Sequence, residues 1–207
     1  MSTSFEVFPR NHNLPIVRQV LELSTQYLHE YLTSVGVRLH PTVKLEIHND
    51  LELIVVPSPD QALKWNVNEY GWFLIDQVPG GCDAYFEYVD DYRRESWEDE
   101  ITASLARCAY FADEIRESLK IGHYWHFRRS AGQSAIISLY YGLLAASVAK
   151  LTDGFIYSDD GAWDFHYFPI HPDEFRDIYF RSEKTSTDAK WVQKCILAIP
   201  NELQMNR

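Results

Sequence analysis

Gln133-Ser134-Ala135-Ile136-Ile137-Ser138-Leu139-Tyr140-Tyr141-Gly142-Leu143-Leu144-Ala145-Ala146-Ser147-Val148-Ala149-Lys150-Leu151 is the stretch on which the fold turns. No charge falls between Ala135 and Ala149, and Ser138, Gly142 and Ser147 alone break its apolar character. Apolar residues occupy every side of the helix this pattern predicts, so it must be wrapped by other elements. The run is shorter than the roughly 20 residues a membrane span needs. It is therefore expected to be the central core helix of a soluble domain. Thr152-Asp153-Gly154 ends it, with Gly154 the natural left-handed cap.

Upstream, Tyr124–Arg129 reads as a strand. Before it, Trp97, Ile101, Leu105, Cys108, Ala112, Ile115 and Leu119 form one helical stripe that stops near Gly122. Ser96 and Asp99 resemble a capping box at its start. Strands are expected at 72–76 and 84–89, around a Pro79-Gly80-Gly81 turn. Val43, Leu45 and Ile47, then Leu51, Leu53 and Val55, alternate about His48-Asn49-Asp50 and predict a hairpin with one wet face. The first helix covers 14–35, with Asn13 and Gly36 as caps.

Downstream, residues 155–158 and 162–168 flank Asp159-Asp160-Gly161, a hairpin signal. Pro172 opens a short helix to Tyr179. A last helix from Asp188 to about Leu197 directs Trp191, Val192, Cys195 and Ile196 inward. No repeat or linker divides the 207 residues. The whole chain, 1–207, is expected to be a single α+β domain, a mainly antiparallel or mixed sheet packed by helices on one face.

Composition bounds function. Thirty acidic against 19 basic side chains give a formal charge of -11, which disfavours nucleic acid and favours a basic partner. The N-terminus carries no basic start followed by an apolar core, and Cys82, Cys108 and Cys195 form no CxxC pattern, so a cytoplasmic, reducing location is expected. No cofactor is called for. His123, His126, His166 and His171 invite a metal drawing, but 123 and 126 would point to opposite faces of a strand, so no metal site is expected. Arg128-Arg129 before the central helix could hold an anion at its N-terminus, but with no phosphate-binding loop an ordinary strand-to-helix turn capped by Ser or Gln is expected. None of the cysteines sits in a thiol-catalysis pattern.

Two acidic and aromatic patches stand out. The first contains Asp90, Asp91, Tyr92, Glu95, Trp97 and Glu98; the second contains Asp159, Asp160, Trp163 and Asp164. Acids at a helix start and rings in a core explain such clusters structurally. A docking surface for a basic protein explains them functionally, because complementary potential speeds association.

The run from Gly132-Gln133-Ser134 through Leu151-Thr152-Asp153-Gly154-Phe155-Ile156-Tyr157-Ser158-Asp159-Asp160-Gly161-Ala162-Trp163-Asp164 resembles small α+β immunity proteins encoded beside bacterial polymorphic toxins of contact-dependent and type VI systems. The resemblance covers about a quarter of the chain and transfers no functional residue. It implies a non-enzymatic inhibitor that binds one cognate toxin. Two alternatives stay open: a small hydrolase using His123, His126 or His166 with a nearby Asp, and an adaptor that self-associates as a homodimer.

Overall fold

The structure, a computed structural model, describes residues 2–49, 51, 53–103, 106–184 and 189–204. Among these, seven strands form one sheet: β1 (Thr3–Phe8), β2 (Val43–Asn49), β3 (Ile54–Val55), β4 (Glu69–Ile75), β5 (Cys82–Tyr88), β6 (His123–Arg129) and β7 (Phe155–Tyr157). The order is β3-β2-β4-β5-β6-β1-β7, and every pairing is antiparallel. The helices are α1 (Val17–Ser34), α2 (Asp91–Thr102), α3 (Ala106–Tyr110), α4 (Ala112–Ile121), α5 (Ala135–Leu151), α6 (Pro172–Ile178) and α7 (Ala189–Gln204). No described helix is long and apolar enough to cross a membrane.

Every residue of α5 from Ala135 to Ala149 is buried. It packs against α1, α6 and α7 and against the sheet face carrying Phe5, Val7, Trp125 and Phe127. Its few polar groups are all satisfied. Tyr140 Oη meets Ser24 Oγ at 3.1 Å, Tyr141 Oη meets Thr3 Oγ1 at 3.0 Å, and Tyr179 Oη donates to the Ser138 carbonyl at 2.5 Å. Tyr179 crosses α5 at Gly142, where a Cβ would lie 2.3 Å from the ring, so only glycine admits this packing.

α5 ends by a different device from the expected Gly154 cap. Asp153 takes the left-handed backbone, with φ 52°, and Gly154 is needed because a Cβ there would sit 2.2 Å from the Phe8 carbonyl oxygen. The N-terminal cap of α1 also differs. Its cap residue is Ile16, whose N–H donates to Gln19 Oε1 at 3.1 Å, and Asn13 stays in the preceding loop.

The stripe expected as one helix is divided among α2, α3 and α4; Leu105 lies outside the described residues. A straight helix over 96–121 would be about 39 Å long. Breaking it lets Trp97 and Phe111 converge on Phe155, at ring distances of 6.1 and 5.8 Å. Ser96 lies inside α2, and the cap is Asp90, whose Oδ1 accepts from Arg93 N at 2.7 Å. Phe8, Tyr124 and Phe155 stack under Trp97, on the side away from α5. The α+β class stands, with one addition to the one-face expectation: α2–α4 cover the second face over β1 and β7.

The 155–168 hairpin does not form. β7 pairs with β1 instead, and Ile156 bridges Ile170. Trp163 turns inward onto Tyr179, at 4.9 Å, which pulls the returning segment off the sheet, and Phe165–Tyr167 becomes a 3₁₀ turn. The β2–β3 hairpin exists but is short: all seven residues of β2 pair with β4 on one edge, and two pair with β3 on the other. Asp50 in its turn lies outside the described residues, as does Asp188 at the expected start of α7. α7 runs on to Gln204 with Pro200 inside it. Trp191 on that helix is 38% exposed and packs its ring against Phe180 at 5.3 Å.

Candidate binding face

The uncovered part of the second sheet face follows from strand alternation. Even-numbered residues of β2, β4, β6 and β1 and odd-numbered residues of β5 point the same way, because the register pairs Trp72 with Asp83 and Asp83 with Arg128. His48, Tyr70, Tyr85 and His126 therefore make a row across four strands. Adjacent rings lie 5.3 Å (His48 to Tyr70), 5.9 Å (Tyr70 to Tyr85) and 5.8 Å (Tyr85 to His126) apart. Glu46, Trp72, Asp83, Arg128 and Ser4 make the next row. All but Asp83 are half-buried. Rings held in a ladder yet open to water offer rigid contact area.

Charge at the β1 end of this face is organised around Glu6. Arg93, at the start of α2, donates two hydrogen bonds to its carboxylate, at 2.6 and 3.2 Å, and a third at 3.2 Å to Tyr124 Oη. Tyr124 Oη donates in turn to Glu87, whose other oxygen lies 3.4 Å from His126 Nδ1. Burial pushes the Glu6 carboxyl up to about 7, against the opposing pull of Arg93. Glu87 is held below its ordinary value, first by its hydrogen bond with His126. Asp83, itself buried, accepts from Arg128 Nε at 2.8 Å.

The two acidic patches flank this network. Asp90, Asp91, Tyr92, Glu95 and Glu98 are exposed on α2, next to Arg93. Glu98 is held by Arg116 through two 2.9 Å hydrogen bonds. Asp159 lies near enough to Glu6 to raise its carboxyl further. Asp160 accepts from Ser4 Oγ at 2.7 Å and from Ser158 Oγ and Ala162 N at 3.2 Å, so it builds its turn while staying exposed. Asp164 is half-buried. Trp97 and Trp163 are corrections: 2% and 4% exposed, they are core residues and present no ring to a partner.

Chemistry elsewhere is dispersed. His123 points to the opposite face from His126, stacks on Phe86 at 5.0 Å, and is pushed below its ordinary value by burial. His166 is exposed beside Phe165, and His171 contacts Glu114 at 3.4 Å. Among the described residues, no group of three His, Cys, Asp or Glu is placed to hold a metal. The three cysteines are buried and unpaired, and burial pushes the Cys108 and Cys195 thiols up to about 11, away from nucleophilic use. The N-terminus of α5 is an ordinary capped turn, with Ser134 Oγ accepting from Ile137 N at 3.4 Å, and its other free N–H groups are taken by the chain itself. Glu202 of α7 accepts from Ala135 N at 2.8 Å and from Ile136 N at 3.0 Å.

A shallow concavity of about 850 Å³ runs along Leu21, Thr25, His29 and Thr33. It is lined by α1 alone, on the far side of the molecule from this face, and converges no charged pair comparable to Glu6–Arg93.

Sequence reasoning found the acidic rims and missed the floor between them. Residues 3–8 carried no strand assignment, so Glu6 had no place. Comparison with family models, characterised proteins and solved structures finds no match to this chain.

Proposed function

We propose that this chain is a non-enzymatic binding protein that neutralises a basic partner, of the immunity type its sequence resembles. The observation that carries the reading is an uncovered sheet face, aromatic across its middle and acidic at its rim, in a chain of formal charge -11. Arginine side chains of a toxin domain would stack on Tyr70, Trp72 and Tyr85 and pair with carboxylates at the rim. Three buried, unpaired cysteines support action in the reducing cytoplasm. The test is titration of the toxin domain encoded beside this chain's gene against the wild type, a Tyr85→Ala variant and an Asp91→Lys/Glu95→Lys/Asp159→Lys variant. Loss of affinity in both variants supports the reading; unchanged affinity in both removes this face from it.

One observation favours a second reading. The contact between His126 and Glu87, with Tyr124 beside them, is the geometry of an acid–base pair at the edge of an open surface. An acid–base enzyme would lose its turnover in Glu87→Gln with its binding intact, and a hydrolase substrate panel measures this directly.

A further inference from the structure

Trp191, Lys194, Cys195 and Ala198 recur at helical spacing on α7 and line one wall of a cavity of about 340 Å³, whose other wall is the end of β6 and the first turns of α5. Room is left there because Ala135, Cys195 and Ala198 are small. The polar wall is Arg129. As an odd-numbered residue of β6 it points away from Arg128, and so away from the open sheet face.

The charge on Arg129 is poorly answered. Arg93, Arg107, Arg128 and Arg176, each partly buried, meet carboxylates at 2.6 to 2.8 Å. Arg129, also partly buried, meets none among the described residues. Its Nη1 donates to Ser138 Oγ at 3.0 Å and its Nη2 to Thr3 Oγ1 at 3.1 Å, and the enclosed Nε has no acceptor. Two neutral hydroxyls do not neutralise a guanidinium withdrawn from water. Lys194, exposed at the rim, adds a second positive charge, and Glu202, bonded to Ala135 N and Ile136 N, adds one negative charge. These three groups leave one positive charge at the cavity, in a chain of formal charge -11.

We propose that this cavity binds a small organic monocarboxylate with a planar apolar body. One negative charge balances the site, and the remaining guanidinium N–H groups suit a carboxylate, which Lys194 reaches from the rim. The Trp191 ring, 5.9 Å from the Arg129 guanidinium, and the floor of Ala135, Cys195 and Ala198 take the apolar body. Ligand sites span about 300–1,000 Å³, so a cavity of about 340 Å³ suits an acid of one ring. The cavity lies on the covered side of the sheet, so its occupancy and partner binding at the open face succeed or fail independently.

Titration of the full chain with benzoate and with phenylacetate, followed by proton–nitrogen NMR, tests this, with benzamide as the neutral counterpart of benzoate. Saturable shifts of the Trp191 indole and of the Gly132, Gln133 and Ala135 amides are expected, with a dissociation constant on the order of 0.3 mM for the better acid. Benzamide should bind at least about tenfold more weakly than benzoate. Arg129→Gln should weaken acid binding at least about tenfold and Lys194→Gln about threefold. Ala198→Leu, which fills the cavity with both cations in place, should abolish it. Failure of both acids to bind below about 10 mM overturns the proposal, as does benzamide binding as tightly as benzoate or Ala198→Leu binding like wild type. If Arg129→Gln loses its fold along with its bonds to Thr3 and Ser138, Ala198→Leu and the benzamide comparison decide.

Discussion

The two faces of the sheet are built from the same residue types to opposite ends. On the α5 face, Phe5 meets Tyr141 at 4.8 Å, Phe175 at 5.2 Å and Tyr179 at 5.6 Å, and every ring is buried. On the other face, Tyr70 lies 5.9 Å from Tyr85 and Trp72 6.4 Å from His48, similar spacings, but part of each ring stays in water. Closeness of rings therefore does not distinguish core from surface. A second layer on top does: α1, α5, α6 and α7 supply it on one face, whereas on the other α2–α4 reach only β1 and β7. Stability should reside on the covered face, and recognition on the open one.

The sharpest contrast is Tyr179→Ala, which removes a ring packed against Gly142, Phe5 and Trp163 and leaves a cavity. A loss of about 3–5 kcal/mol in urea unfolding is expected. A loss below about 1 kcal/mol would mean that this face is not the stabilising one.

Glu6 sits where the faces differ in electrostatics. Its carboxyl ionises at about 7 when folded against 4.5 ordinarily, so the folded state holds the proton more tightly. The stabilisation is complete below pH 4.5 and is lost as pH rises through 7. Wild type should thus lose up to about 3 kcal/mol relative to Glu6→Gln between those limits. Parallel pH profiles of the two unfolding midpoints would contradict the assignment.

Glu202→Ala tests the covered face at its end, by stripping the carboxylate from Ala135 N and Ile136 N. A loss of about 1–2 kcal/mol is expected, with Glu202→Gln in between. On the open face, Tyr85→Ala should cost no more than about 1 kcal/mol in stability while reducing partner affinity at least about tenfold, measured by calorimetric titration. The smallest stability effect, within about 0.5 kcal/mol, is expected for Asp91→Lys/Glu95→Lys, whose consequence should be a slower association rate at low salt.

Much of this was legible beforehand where a local pattern was strong. The uniform apolarity of Ala135–Ala149 announced a buried helix, and the alternation of Val43, Leu45 and Ile47 announced a strand with one wet face. Boundaries failed where a distant group intervened. The backbone of Phe8 dictated Gly154, and Trp163, drawn to Tyr179, undid the second hairpin. The acids of the candidate site were visible as a charge run, but Trp97 and Trp163 within those runs could not be told from surface anchors, because aromatic side chains serve both places.

The sequence alone determined the class of fold, the central helix and the acidic balance of the chain. These depend on residue type and short-range periodicity. Tertiary structure decided that Thr3–Phe8 is a paired inner strand, that Glu6 meets Arg93, that Glu202 fills the anion position at α5, and that β2, β4, β5 and β6 share one uncovered face. Each of these joins residues far apart in the chain, from 66 positions between Ile136 and Glu202 to 126 between Thr3 and Arg129 and more at β7, or sums pairings over several strands. Such contacts are set by the packing of whole layers, and no local pattern encodes them.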